Sequence, residues 1–168
     1  MILNKCPIKY NFSSRNGVRP IFIVVHDTGN KSFGANAKAH YNYFNGGNRN
    51  SSAHFFVDDK EIVETVEVSL ASWHCGDGKN KYGINNRNSI GIEMCVNSDS
   101  DWNKTMENTL CLIRFLMKSY NISWNNVARH YDASRKICPS SMSDDGWKAW
   151  WIFKERIWLS FFYCVKLN

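Results

Sequence analysis

Hydrophobic residues in this chain fall into short runs and one long helical stripe, separated by polar stretches rich in Asn, Ser and Gly. Residues 21–26, IFIVVH, form a near-continuous apolar run, as expected of a strand covered on both faces. Ser32 then predicts the cap of a helix over about 34–45, and Gly46 and Gly47 predict its stop. Residues 53–58 and 61–66 are β-rich runs around Asp59 and Lys60, the pattern of a hairpin. Residues 74–88 form a Gly- and Asn-rich loop long enough to be functional. Residues 89–96 predict another strand. A helix capped by Asp101 or Asn103 then runs to about Tyr120, with Met106, Leu110, Ile113, Met117 and Tyr120 on one stripe. Residues 127–130 are short and extended, and Ser143 opens a last helix whose first turn carries Asp144 and Asp145. Residues 1–20 read as an irregular lead-in ending at Pro20. The order β-α-β-β-β-α-β-α predicts an α/β fold. It is a single domain over 1–168 with its core at about 21–158, built as a mixed central sheet flanked by helices.

Composition sharpens this picture only in places. At 168 residues, one domain buries about 70% of its unfolded-chain surface without staples. No charge-free apolar run approaches the roughly 18 residues of a spanning helix. The opening MILNKCPIKYNF lacks the continuous apolar stretch and cleavage pattern of a signal peptide. Cysteines 6, 75, 95, 111, 138 and 164 show no C-x-x-C pair, so reduced thiols are expected, with Cys111 in a helical core. The net charge of +6 suits attraction to a polyanion, anionic wall polymers included, or simply a soluble surface with spread lysines. No basic stripe or stacking module emerges, which sets nucleic acid aside as a partner.

Three residues carry candidate chemistry. His26 closes the apolar strand, His130 closes the later extended segment, and Cys138 follows His130 in RHYDASRKICP. A strand-end histidine alone is ordinarily a satisfied structural residue, and Cys-Pro alone says little. Together, two imidazoles and a thiolate are the complement of a catalytic zinc that keeps its fourth position open. Pro139 holds Cys138 extended, and Lys136 favours its thiolate. In SIGIEMCV, Gly91, Glu93 and Cys95 share one strand face. A carboxylate there is either an edge residue in water or a general base.

The segments IVVHDTGN, HFFVDDKEIVE, WHCGDGKNKYGINNRNSIGIEMCVN and RHYDASRKICP, in that order, carry a resemblance. The chain resembles the zinc-dependent N-acetylmuramoyl-L-alanine amidases of type 2, related in fold to peptidoglycan recognition proteins. Its nearest likeness is to amidase domains of phage endolysins and autolysins of Gram-positive bacteria. The resemblance implies Zn2+ held by His26, His130 and Cys138, with Glu93 as catalytic carboxylate and Lys136 stabilising developing negative charge. It implies peptidoglycan, glycan strand and stem peptide, as substrate, cut at the amide between N-acetylmuramic acid and L-alanine. Some relatives carry a tyrosine where Ala53 stands, so any proton relay here rests on Glu93.

Trp73 and His74 are candidate groove residues, with Asn30 beside them, although a tryptophan buried under the loop fits equally well. His40 reads as structural, and His54 fits groove or core. The aromatic stretch from Trp147, through Trp150, Trp151, Phe153, Trp158, Phe161, Phe162 and Tyr163, has helical spacing for packing on the sheet. A membrane-surface segment, a dimer contact or a vestigial wall-binding region are its other readings. No separate wall-binding domain is expected. Synthesis in the cytoplasm and action on the wall after holin-type release or non-classical export would follow. A non-catalytic peptidoglycan-binding module and a cytosolic amidase that recycles muropeptides are the competing functions. The first would ordinarily lack a metal ligand such as Cys138, and the second more often pairs its histidines with an aspartate.

Overall fold

A computed structural model of the protein describes residues 2–165, with side chains through residue 159. The strands are β1 (Leu3–Lys5), β2 (Phe12–Ser14), β3 (Phe22–Asp27), β4 (Phe55–Val57), β5 (Ile62–Glu64), β6 (Leu70–Ser72), β7 (Ser89–Met94) and β8 (Val127–Arg129). The helices are α1 (Ala37–Asn45), α2 (Trp102–Tyr120), α3 (His130–Ser134) and α4 (Asp144–Val165). A six-stranded sheet has the order β1-β5-β4-β7-β3-β8, and β2 pairs with β6 in a separate two-stranded sheet. All neighbours in the large sheet are parallel except the β4–β5 hairpin, so the sheet is mixed.

The lead-in differs from expectation. Residues 3–5 extend the central sheet as a parallel partner of β5, and residues 12–14 pair with β6. Such short edge strands lack an apolar run, because β1 is exposed throughout. Arg15 fixes this segment: its buried guanidinium donates to the carbonyls of Val68, Arg87 and Ser89.

Asn36, not Ser32, caps α1, its Oδ1 accepting from Ala39 N–H at 2.9 Å. Asp58 does more than turn a hairpin. Its Oδ1 accepts from the Lys60 and Glu61 N–H groups, while Oδ2 accepts from Ala37 N–H at the start of α1. A carboxylate at that helix end is electrostatically favourable and ties α1 to the sheet. Asp101 caps α2 through Lys104 N–H, and Asn121 ends it in left-handed geometry.

The face of the sheet carrying Ile23, Val25, Ile90, Ile92 and Met94 packs on Leu110, Ile113 and Met117 of α2. Trp150, Phe153 and Ile157 of α4 complete that core, whereas Trp151 and Trp158 are 53% and 41% exposed. The aromatic stretch is thus divided between packing and surface. Phe161, Phe162 and Tyr163 lie outside the described side chains. Positive φ at Asp145, Gly146 and Trp147 delays the regular part of α4 beyond the start expected at Ser143. Cys111 is exposed rather than core, because it falls off the stripe that α2 turns inward. Cysteines 6, 75, 95, 111 and 138 are free thiols, and Cys164 lies outside the described side chains. Among the described residues, no helix is long and apolar enough to cross a membrane.

Candidate metal centre

Parallel pairing builds the site. His26 on β3 stands directly beside Glu93 on β7, both interior strands of the sheet. Arg129 at the end of β8 pairs with Val25, so the next residue, His130, comes alongside His26 as α3 begins. The chain then turns back through Lys136. Cys138 is pinned by its own carbonyl, which accepts from Tyr131 N–H at 3.1 Å. Asp27 holds the returning arm, accepting from Ser141 N–H at 2.6 Å and from the Ser140 hydroxyl at 3.2 Å.

One donor atom from each of His26, His130 and Cys138 lies within 4.8 Å of the others, and all three residues are buried. His26 Nδ1 is 3.7 Å from Cys138 Sγ and 3.9 Å from Glu93 Oε1. Zinc bonds of about 2.05 Å to nitrogen and 2.3 Å to sulfur at a tetrahedral angle place those two donors about 3.6 Å apart. The fit is close. His130 Nδ1 is buried without a partner while its Nε2 is bonded to Asp77 Oδ1 at 2.8 Å. A buried imidazole nitrogen is rarely left idle, and a cation shared with His26 and Cys138 would engage it. Glu93 Oε2 is also buried without a partner.

The electrostatics fit the same cation. Burial holds His26 well below the usual imidazole range, and the neighbouring His130 and Lys136 push it the same way. Burial also lowers His130, although Asp77 opposes this. Both rings therefore keep lone pairs at neutral pH. Burial pushes the Cys138 thiol up to about 12, with Glu93 adding to the effect, so the pull of Lys136 toward thiolate is outweighed. A thiol in that state ionises on metal binding, which releases its proton. Burial, then the nearby Asp27, drives Glu93 well above the usual carboxylate range, while Lys136 opposes the shift.

The cluster lies in a pocket of about 220 Å³ that Trp73, Phe44 and the exposed Lys136 help to line. It continues past Asn50, Gly76 and Asn86 into a groove of about 380 Å³. Trp73 is half-buried and faces both spaces. Asn30 is exposed, accepts from Ser32 N–H and does not line the pocket. His74 does line it, but both ring nitrogens are engaged inward, Nδ1 with His26 and Nε2 with Ser89, so neither is spare for a ligand. His54 belongs to the interior: its Nδ1 accepts from Gly91 N–H, and burial beside Arg15 lowers it to about 3. His40 donates to the Asn36 carbonyl and stacks on Phe56.

Sequence reasoning missed Asp77, Ser89 and Asp27, which hold the cluster from outside. Gly91 was the available signal, since a glycine inside a strand marks close approach of another group. A Cβ there would lie 2.5 Å from His74 Cγ.

Residues 16–141 match the family described as N-acetylmuramoyl-L-alanine amidase. The amidase CwlH of Bacillus subtilis is 44% identical over 125 residues, covering 74% of this chain and 49% of that protein. The amidase XlyA of Bacillus subtilis is 41% identical over 145 residues, covering 85% of this chain and 48% of that protein. The chain thus spans about half the length of these curated relatives. The solved catalytic domain of XlyA superposes with a TM-score of 0.81 at 39% identity, covering 94% of this chain and 99% of that one. By sequence along most of its length and by fold, the chain belongs to the N-acetylmuramoyl-L-alanine amidase family.

Proposed function

We propose that the chain hydrolyses the amide between N-acetylmuramic acid and the L-alanine of the stem peptide in bacterial peptidoglycan, with zinc held by His26, His130 and Cys138. The observation that carries this reading is the buried trio of His26, His130 and Cys138, one donor atom from each within 4.8 Å of the others, together with the buried, partnerless Nδ1 of His130 and Oε2 of Glu93. When bound, zinc supplies Lewis acidity to water and to the scissile carbonyl, and its site of two neutral imidazoles and one thiolate keeps a net positive charge. Glu93 takes the proton of the attacking water and returns it to the departing alanine amine. The burial that raises its pKa makes its carboxylate a stronger base once ionised. Lys136, exposed at the pocket rim, faces the negative charge that develops on the carbonyl oxygen. Trp73 offers a ring face to the sugar or the peptide where pocket and groove meet. The net charge of +6 favours adhesion to anionic wall polymers, an attraction that salt weakens.

Glu93→Gln tests the assignment. The variant keeps one zinc per chain and its fold, and loses roughly 10²–10⁴-fold in clearing of purified sacculi. Full activity in that variant removes Glu93 from the mechanism. Loss of zinc together with activity would make it a ligand instead.

A further inference from the structure

One segment, between β6 and the first residue of β7, carries the outer partners of both imidazoles: His74 and Ser89 behind His26, and Asp77 behind His130. The direction of each bond follows from the group at its far end. The Asn85 carbonyl can only accept, so the Ser89 hydroxyl, 2.5 Å away, gives its single proton there. Ser89 Oγ therefore accepts from His74 Nε2–H at 3.0 Å. A neutral imidazole protonated at Nε2 is bare at Nδ1, so His74 Nδ1 accepts from His26 Nε2–H at 3.0 Å. His26 Nδ1 is left with its lone pair, facing Cys138 Sγ. On the other side, the Asp77 carboxylate accepts from His130 Nε2–H at 2.8 Å and leaves Nδ1 bare.

We propose that this segment is a tautomer clamp, which sets His26 and His130 in the Nε2–H form before metal arrives and presents two ready Nδ1 donors. His74, Ser89 and Asp77 are its positioning residues. The polarity of the His26 arm is fixed by one carbonyl, that of Asn85. The inference rests on the zinc reading above for its purpose, but not for its geometry.

The segment is bolted for the task. Asn86 Oδ1 accepts from His74 N–H at 3.1 Å and from Cys75 N–H at 2.9 Å, closing the two sides of the loop on each other. Asn85 Oδ1 accepts from Arg87 N–H, and Asn88 Oδ1 accepts from Asn85 N–H, both at 2.9 Å, which holds the Asn85 peptide in place. Two glycines let it approach. A Cβ on Gly91 would collide with the His74 ring, and one on Gly78 would lie 2.1 Å from the Ala133 carbonyl oxygen of α3. Asn85, Asn86 and Asn88 thereby each have a structural role, accepting backbone N–H bonds within the loop.

Nitrogen-15 NMR of the metal-free chain, joined to zinc affinity by chelator competition, tests the clamp. Slowly exchanging Nε2 protons on His26, His74 and His130, with unprotonated Nδ1 atoms, are expected. A proton on Nδ1 of either His26 or His130 overturns the proposal. Ser89→Ala and Asp77→Ala should each weaken zinc binding by roughly 10–100-fold. Asp77→Asn, whose amide oxygen accepts the same bond, should return affinity to within a few-fold of the unmodified chain. Unchanged affinity in the two alanine variants, or an asparagine variant as weak as the alanine one, also overturns it. If the unmodified chain binds no zinc, the functional reading fails, and the metal-free spectra still decide the clamp.

Discussion

Gly91→Ala concentrates the packing argument into one methyl group. Its Cβ would sit 2.5 Å from His74 Cγ, 2.8 Å from Nδ1 and 2.9 Å from Cδ2, where ordinary contact begins near 3.4 Å. Something must yield by roughly 1 Å. The backbone of β7 is hydrogen-bonded on both sides, to β3 and to β4, so the strand is the stiffer partner. The His74 ring moves instead, and its bonds to His26 and Ser89, both 3.0 Å, are broken or stretched. Overpacking of this kind costs about 1–3 kcal/mol, and each buried bond left unmade adds about 1 kcal/mol. A loss of about 3–5 kcal/mol lowers the melting temperature of a domain this size by roughly 6–20 °C. Urea denaturation of the metal-free variant measures the loss. Zinc affinity should fall in the same protein, because His26 loses the acceptor that orients it. A midpoint and an affinity both equal to those of the unmodified chain would mean that the His74 pocket is loose, and would refute the reasoning.

Two further outcomes follow from buried histidines and from the metal. His54 is held at about 3 by burial against an ordinary value of 6.5, so its contribution to stability is complete above pH 6.5 and is lost as pH falls toward 3. Each pH unit in that window removes about 1.4 kcal/mol per such histidine. His26 and His74 shift the same way, while Glu93, raised above 4.5, acts in the opposite sense and offsets only one of them. The urea midpoint of the metal-free chain should therefore drop between pH 7 and pH 5, and a flat profile would contradict neutral burial. Zinc at 100 times its dissociation constant should add about 2.7 kcal/mol, and a chelator should reverse this. An unchanged midpoint with added zinc would argue against His26, His130 and Cys138 as a folded-state site.

The cluster was legible in the sequence because strand ends are. His26 closes an apolar run and His130 follows a short extended segment, and a residue at the carboxyl end of a strand in an open α/β sheet faces the ligand crevice. Glu93 was legible as a carboxylate interrupting an apolar strand. The two short strands before residue 20 were not, since three exposed residues such as Leu3–Lys5 carry no periodicity and owe their form to pairing. The cap of α1 shifted because Asn36 already stood in extended geometry beside Asp58, a contact between distant parts of the chain. Asp77 and Ser89 were hidden for a related reason. A loop's hydrogen bonds to buried histidines follow from register and glycine clearances that no local pattern records.

Mass spectrometry of peptidoglycan digested by the zinc-loaded chain tests the central claim most directly. Stem peptides released with a free amino terminus on L-alanine, from glycan strands otherwise intact, are the predicted products. New reducing sugar ends, or cuts within the peptide that leave muramic acid still joined to alanine, would contradict it.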